Sequence, residues 1–458
     1  MNDDQKLMEK VQSLCKTRGF IFQAGELYGG LAGVYDYGPL GSLLKNNIKN
    51  AWIKKFVHDR HDSYLLDSAI LMGEAPLTAS GHVGGFSDPL VEDLVTNKRY
   101  RADHLLEEAG VDPLNMSIAE MTQAIVDNNV VSPDANALGE VRQFNLMLKP
   151  QLGANEDSTS TAYLRPETAQ GIFVNYKNIM DSMHPKIPFG IMQIGKAYRN
   201  EITPRNFIFR LRELEQMEIE YFIHPSQWEA QFEYWREEIS EWVKEIGLDF
   251  SKLHEIEITG PDLAHYSKRT IDFEFEYPFG QKELYGLAYR TDHDLLKHAE
   301  HSKTKLQYTD PASGETYVPH VIEPSMGLDR TILAVLLSSY KEDEVDGNTR
   351  SYLSLPHHLS PYKVAVSPLV KNKEDIVEKS KEVFGLLKAE FGNISYDDNG
   401  NVGKRYRRQD EIGTPFCVVV DYDALEDGTV SVRNRDTTEQ VRVSIKNLVN
   451  HFKEKFTR

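Results

Sequence analysis

Residues 196–222 read KAYRNEITPRNFIFRLRELEQMEIEYF, two stretches of strand-like alternation about the turn formers Thr203, Pro204, Arg205 and Asn206. This pattern predicts a β-hairpin. Its arms carry Arg199, Glu201, Arg212, Glu213, Glu215, Glu218 and Glu220 among the aromatics. An arm packed against a core rarely holds charges this way, because burying an unpaired charge is expensive. Guanidiniums bind oxyanions and carboxylates bind cations. The chemistry this hairpin could serve is the binding of something that needs both at once.

Two further stretches place charges inside core-like elements. In YLRPETAQGIF, Arg165 and Glu167 precede a helix, and in VIEPSMGLDRTILAVLL, Glu323, Asp329 and Arg330 flank a buried one. Each alone could be an ion pair, a cap or a solvated edge; all three in one chain are harder to explain that way. Commoner catalytic signatures are absent: there is no GxxxxGK[ST] loop, no GxGxxG after a strand, no GxSxG and no HExxH. YGGLAGVYDYG at 28–38 is glycine-rich with the wrong spacing and reads as a turn-rich loop.

The elements that must position these residues can be read along the chain. Pro39 suits a first helical turn, and Leu40, Leu44, Ile48, Trp52 and Phe56 then recur every fourth residue, one apolar stripe on a long helix. Residues 101–142 read as a helical insertion, and 143–222 as strand and turn broken by a helix after Pro166. Ser226–Ile246 is expected to be a helix capped by Ser226. A mixed sheet region runs to about Ile322. Residues 346–360, rich in Gly, Ser and Pro, are the best linker. Beyond it KVAVSPLV, ISYDD and PFCVVVDYD alternate with a helix, predicting a small α/β domain with a largely parallel sheet.

The chain has 458 residues and a formal charge of −18, a balance that argues against nonspecific nucleic-acid binding. From Pro361 onward there are 17 basic and 16 acidic residues, against 35 and 54 before it, so the last segment is charged differently. Two distant cysteines, Cys15 and Cys417, support neither a disulfide framework nor a structural zinc. The charged N-terminus and the shortness of the apolar run ILAVLL suggest a cytoplasmic protein with no membrane partner.

At this point a resemblance is evident. YDYGPLG, RPETAQGIF, YRNEITPR, EQMEIEYF, EPSMGLDR and DEIGTPFCVVVDYD are similar to stretches of the class II aminoacyl-tRNA synthetases, and among them of the homodimeric, glycine-specific group. The resemblance implies an α+β fold: an antiparallel sheet flanked by helices over residues 1–345, then an α/β anticodon-binding domain over 361–458. It implies a homodimer packed through the helix after Pro39. The implied reaction joins glycine to ATP, with Mg²⁺, to give glycyl-adenylate and pyrophosphate, and then transfers glycine to the 3′ end of tRNA(Gly).

Residue by residue, the resemblance implies that Arg199 contacts the α-phosphate and the glycine carboxylate while Glu201 reads the adenine amino group. Arg210 or Arg212 would reach the β- and γ-phosphates and Arg330 would clamp the γ-phosphate. Asn200, Phe209, Leu211, Glu213, Leu214, Leu284, Gly327, Leu328 and Asp329 would line the ATP site, and Glu283 would meet ATP or Mg²⁺. Family members commonly have an aromatic where this chain has Leu214, which covers one adenine face without the stacking term of roughly 0.5–1.5 kcal/mol. Glu167, Glu218 and Glu323 would receive the glycine ammonium, with Ser325 beside the α-carbon. Arg101 and Arg290 would organise the pocket, and Glu215, Gln216, Met217, Pro324 and Met326, with Leu214 and Gly327, would border it.

In GKRYRRQDEIG, Lys404, Arg405, Arg407 and Arg408 surround Tyr406, a pairing of cations with an aromatic that suits single-stranded RNA. Arg433 and Arg435 could extend that face. Three rival readings are a ligase for another small acid, a plain RNA-binding module, which ignores the acidic first 360 residues, and a non-catalytic protein of the same fold. The last has no reason to keep Arg199, Glu201 and Arg330 together.

Overall fold

A computed structural model describes residues 3–114, 116–152, 161–260, 263–264, 266–345 and 347–456. Its centre is a seven-stranded sheet. In chain order the strands are β1 (Ser63–Leu65), β2 (Phe189–Tyr198), β3 (Glu213–Ile223), β4 (Leu253–Ile258), β5 (Arg269–Tyr277), β6 (Gly280–Thr291) and β7 (His320–Gly327). Across the sheet they run β4-β5-β6-β7-β3-β2-β1. Every pairing is antiparallel except that of β1 with β2.

One sheet face is apolar. The helix α1 (Pro39–Ile53) continues as a wider turn through Lys54–His58, and its stripe of Leu40, Leu44, Ile48, Trp52 and Phe56 is buried. Phe56 packs its ring 5.9 Å from those of both Trp235 and Trp242 on α2 (Trp228–Glu245). Met217, Ile219 and Tyr221 of β3 join this core, so Gln216, Glu218 and Glu220 turn to the opposite face. Close approach of α1 to the chain before it requires Gly41, since a Cβ there would lie 1.9 Å from the Phe20 carbonyl oxygen.

Several expectations change. The tight turn expected at 203–206 is part of a longer loop, residues 199–212, between β2 and β3. Ser226 does not cap α2; His224 accepts a hydrogen bond from the Ser226 amide at the start of a short 3₁₀ turn. The helical insertion is larger than expected. Helices Ala102–Glu108 and Ile118–Asp127 pack on a three-stranded sheet of Ser87–Glu92, Arg99–Arg101 and Arg142–Asn145, around Leu106 and Ile125.

Residues 347–360, all but the first of the stretch read as a linker, hold a strand and buried core residues. Strands β8 (Tyr340–Val345) and β9 (Asn348–Leu353) pair antiparallel, and Leu353, Leu355 and Leu359 are buried in the main core. Beyond lie β10 (Val364–Pro368), β11 (Ile394–Tyr396), β12 (Phe416–Val420), β13 (Thr429–Asn434) and β14 (Gln440–Ser444), in the order β11-β10-β12-β13-β14. Two pairings are parallel and two antiparallel, so this sheet is mixed. The antiparallel half comes from VSVRN and QVRVS, whose polar alternation hid them as strands. Among the described residues, no helix is long and apolar enough to cross a membrane.

Candidate active site

The polar face of the central sheet floors a cavity of about 510 Å³. Its acidic end gathers residues from separate elements. Glu167 stands just before α3 (Ala169–Met183), Glu218 on β3, and Glu323 with Ser325 on β7. Glu218 and Ser325 are register partners, and Ser325 Oγ donates to Glu218 Oε1 at 3.0 Å. Gln216 Nε2 donates to the same oxygen at 3.0 Å, and Thr168 Oγ1 donates to Oε2. Three donors thus fix one carboxylate.

Arg290, buried at the end of β6, donates twice to Asp294 at 2.8 and 2.9 Å and once to Glu323. It stacks on Tyr266, 4.0 Å from the ring centre. Burial opposes ionisation of Glu167, yet His82 at 3.5 Å and Arg290 hold its carboxyl well below the usual range. Burial, with Glu167 nearby, pushes the Glu218 carboxyl up. An ammonium is the partner that relieves such a group of acids.

The other end is cationic. Arg199, Glu201, Arg210 and Arg330 line it. Arg199 Nε donates to the Pro166 carbonyl at 3.0 Å, and its guanidinium lies over Phe86. Burial lowers the pKa of Arg210, and the charges of Arg101, Arg205 and Arg330 lower it further against the pull of Glu201. It nonetheless stays charged, as arginine does in proteins. Guanidiniums crowded this way make an oxyanion site. Arg330, from the first turn of α4 (Leu328–Ser339), donates to the Glu283 carbonyl at 2.9 Å and carboxylate at 3.0 Å, and packs over Phe209.

Phe209, Leu211, Leu214, Leu284, Gly327, Asp329, Arg101, Glu215 and Gln216 also line the cavity. Some of these are already engaged. Asp329 accepts from the Glu215 amide at 2.7 Å and from Tyr37, and Glu215 is gripped by Lys45 at 2.6 Å and Lys49 at 2.7 Å. These contacts tie α1, β3 and α4 together. Arg101 is bound by Asp88 and Asp103.

Others lie elsewhere. Arg212 donates to the Ala32 and Glu201 carbonyls, and Glu213 pairs with Lys196 at 2.8 Å, so both brace the loop. Met217, Met326 and Leu328 are in the core, Pro324 is buried in β7, and Asn200 is fastened through its backbone to Leu146. Arg165 is a strut: its guanidinium donates to the Lys196 and Ser68 carbonyls. Gly195 leaves it room, since a Cβ there would meet it at 2.2 Å.

Sequence reasoning missed His82, Phe86, Tyr266, Thr270 and Asp272. The last two had a signal: in RTIDFEFEY the apolar alternates Ile271 and Phe273 face the core, which turns Thr270 and Asp272 to the cavity. Burial and then the acids Glu283 and Glu274 raise Asp272 to about 7. A hard cation with oxygen ligands fits beside Glu283 and Asp272, because Mg²⁺ takes only one or two protein carboxylates and completes its shell with phosphates and water.

The expected basic RNA-binding loop is a helix, α5 (Val402–Glu411). Arg405 is buried, donating to the Pro368, Asp398 and Gly400 carbonyls. Arg408 is paired with Asp397 at 2.7 Å. Arg433 and Arg435 are buried too: Arg433 pairs with Asp410 at 2.8 Å and stacks on Tyr406, and Arg435 holds the Gly413 and Leu355 carbonyls. Lys404 is exposed, and half-buried Arg407 donates to the Thr349 carbonyl.

A sheet antiparallel but for one edge pair, flooring a cavity with an acidic and a cationic end, is the arrangement expected of a class II synthetase core. Residues 153–340 match the tRNA synthetase class II core domain (G, H, P, S and T), and residues 363–455 match the anticodon binding domain. The chain is 49% identical over 459 residues to a glycine–tRNA ligase of Alkaliphilus metalliredigens, covering 98% of each chain. It is 48% identical to those of Caldanaerobacter subterraneus subsp. tengcongensis, covering 98% of each chain, and Clostridium perfringens, covering 97% of each. The chain belongs to the glycine–tRNA ligase family.

Proposed function

We infer that this protein activates glycine with ATP and transfers it to tRNA(Gly). The observation that carries this reading is the Glu218 carboxylate, fixed by Thr168, Gln216 and Ser325 at the end of a cavity whose other end is lined with arginines. The glycine ammonium sits among Glu167, Glu218 and Glu323, and its carboxylate points toward Arg199. A carboxylate oxygen attacks the α-phosphorus in line, and the bond to the bridging oxygen of pyrophosphate breaks. Arg199, Arg210 and Arg330 neutralise the phosphate oxygens, an electrostatic contribution already in place before reaction. Glu201 reads the adenine amino group beside Leu214. Mg²⁺, when bound at Glu283 and Asp272, supplies further charge neutralisation. A hydroxyl of the terminal ribose of tRNA then attacks the glycyl carbonyl, and AMP leaves.

Specificity follows from size. A pocket for the smallest amino acid excludes larger ones by overlap, and Ser325 with Glu218 occupies the space beside the α-carbon.

Residues 1–345 serve the chemistry and 361–458 the anticodon. The RNA contacts fall first to exposed Lys404, with half-buried Arg407 and Tyr406 beside it, since Arg405 is buried and Arg408 is paired with Asp397. A homodimer and a cytoplasmic setting complete the reading; both cysteines are free and buried, as suits a reducing compartment. The test is transfer of labelled glycine to tRNA(Gly) transcript with ATP and Mg²⁺. Acid-precipitable label is expected, and its absence with folded protein would overturn the assignment.

A further inference from the structure

One carboxyl near this site has no role in the scheme above. Glu220 lies two residues beyond Glu218 on the same face of β3. The register that pairs Glu218 with Ser325 and Tyr221 with Ile322 sets Glu220 across from Glu323 of β7. Glu220 is 0% exposed and Glu323 8%. Arg290 holds Glu323, while among the described residues neither oxygen of Glu220 has a hydrogen-bond partner. The charges facing Glu220 are Glu323 from β7, Glu218 from β3, Arg290 from β6, and Asp294 from the helix His293–Ser302. Arg290 is the one cation of that set, and it is shared with Asp294.

Like charges directly opposed on paired strands destabilise the sheet, and two carboxyls buried side by side do not both ionise readily. The pair therefore needs a proton, or another cation in its place. The substrate of the proposed reaction carries one. We propose that Glu220 and Glu323 together hold one proton in the free enzyme, and that the arriving amino-acid ammonium expels it to solvent. This deepens the function proposed above and rests on it.

Burial first, and the Glu323 charge next, hold the Glu220 carboxyl well above the ordinary range; burial likewise raises Glu323 against the pull of Arg290. Glu220 is a positioning residue here: it touches no substrate atom, and it sets the charge that the ammonium meets. Two consequences follow. Glycine binds more tightly as pH rises through the range in which the pair gives up its proton. Glycolate, of similar size but without the ammonium, expels none.

The test is calorimetric titration of glycine into the full-length protein loaded with a non-hydrolysable ATP analogue, in buffers of different ionisation enthalpy between pH 6.5 and 8. The wild-type protein is expected to release a fraction of a proton approaching one. Glu220→Gln, of the same shape but unable to ionise, is expected to release none, and its glycine KM should lose its pH dependence. No release from wild type overturns the proposal. Undiminished release from Glu220→Gln also overturns it, moving the proton elsewhere, with His82 beside Glu167 the first place to look. Should Glu220→Gln not fold, His82→Gln decides: release that persists supports the carboxyl pair, and release that vanishes overturns it. Failure of the loaded protein to bind glycine at all would count against the ligase reading instead.

Discussion

Glu218 and Ser325 face one another across two antiparallel strands, and the serine hydroxyl donates to the glutamate at 3.0 Å. This side-chain hydrogen bond adds to the backbone ladder between β3 and β7, the strand that leads into α4. Glu218→Gln removes the charge and keeps the shape. The glycine KM in pyrophosphate exchange is expected to rise about ten- to hundredfold, the equivalent of about 1.5–3 kcal/mol for a hydrogen bond to a charged group. The KM for ATP should barely move. An unchanged glycine KM would remove Glu218 from the ammonium site.

Arg330 leaves the first turn of α4 and reaches across to Glu283. Arg330→Ala is expected to cost about 2–4 kcal/mol of transition-state stabilisation, as for loss of one oriented charge-stabilising donor. Its melting temperature should stay near that of wild type. Loss of activity only alongside loss of fold, seen by circular dichroism, would make Arg330 structural.

Asp272 is half-buried and raised to about 7 from the ordinary 3.8 by burial and then by Glu283 and Glu274. The unfolded chain ionises it near its ordinary value, so the folded state is the one that resists ionisation. Stability therefore falls as pH climbs from about 4 to about 7 and is level above. Asp272→Asn lacks this loss. Its advantage over wild type should grow across that window to something on the order of 1 kcal/mol, discounted for solvent screening. Thermal melts at pH 5 and pH 8 measure it, and an equal difference at both pH values would show that Asp272 is not strained.

Much of the site was legible because charge inside apolar alternation is unusual. Glu218 and Glu323 stand out among residues such as Ile219 and Ile322 that a core requires. The same signal marks Arg212 and Arg165, whose guanidiniums fasten backbone carbonyls, because such a guanidinium has the same letter as one that binds phosphate. His82 and Phe86 lay in a glycine-rich stretch without periodicity, and only folding brings them against Glu167 and Arg199. The linker failed for a related reason. Arg350, inside that stretch, is 1% exposed and bridges Asp343, Asp410 and the Arg435 carbonyl.

That bridge makes a prediction of its own. Asp410 is fully buried between Arg350 and Arg433, at 3.3 and 2.8 Å. Asp410→Ala leaves buried Arg433 without its carboxylate and takes one of two from Arg350, and is expected to destabilise by about 3–5 kcal/mol. Urea denaturation reads this as a lower midpoint, and an unchanged midpoint would mean that the network adds nothing.

On α5 the residues divide by burial. Lys404→Glu should weaken tRNA binding and lower its salt slope by about 1, with folding unchanged. Arg405→Glu should instead unfold the C-terminal unit, because its guanidinium holds four backbone carbonyls. Filter binding across a salt series, with a melt of each variant, separates the two. Equal effects on tRNA affinity with both proteins folded would contradict this division.

The central claim is that the acidic end of the cavity is shaped for glycine and the cationic end for the phosphates of ATP. Amino-acid-dependent exchange of labelled pyrophosphate into ATP, with Mg²⁺ and without tRNA, tests both ends at once. Exchange with glycine and negligible exchange with alanine or serine is the predicted result. Exchange supported by alanine or serine but not by glycine would contradict it.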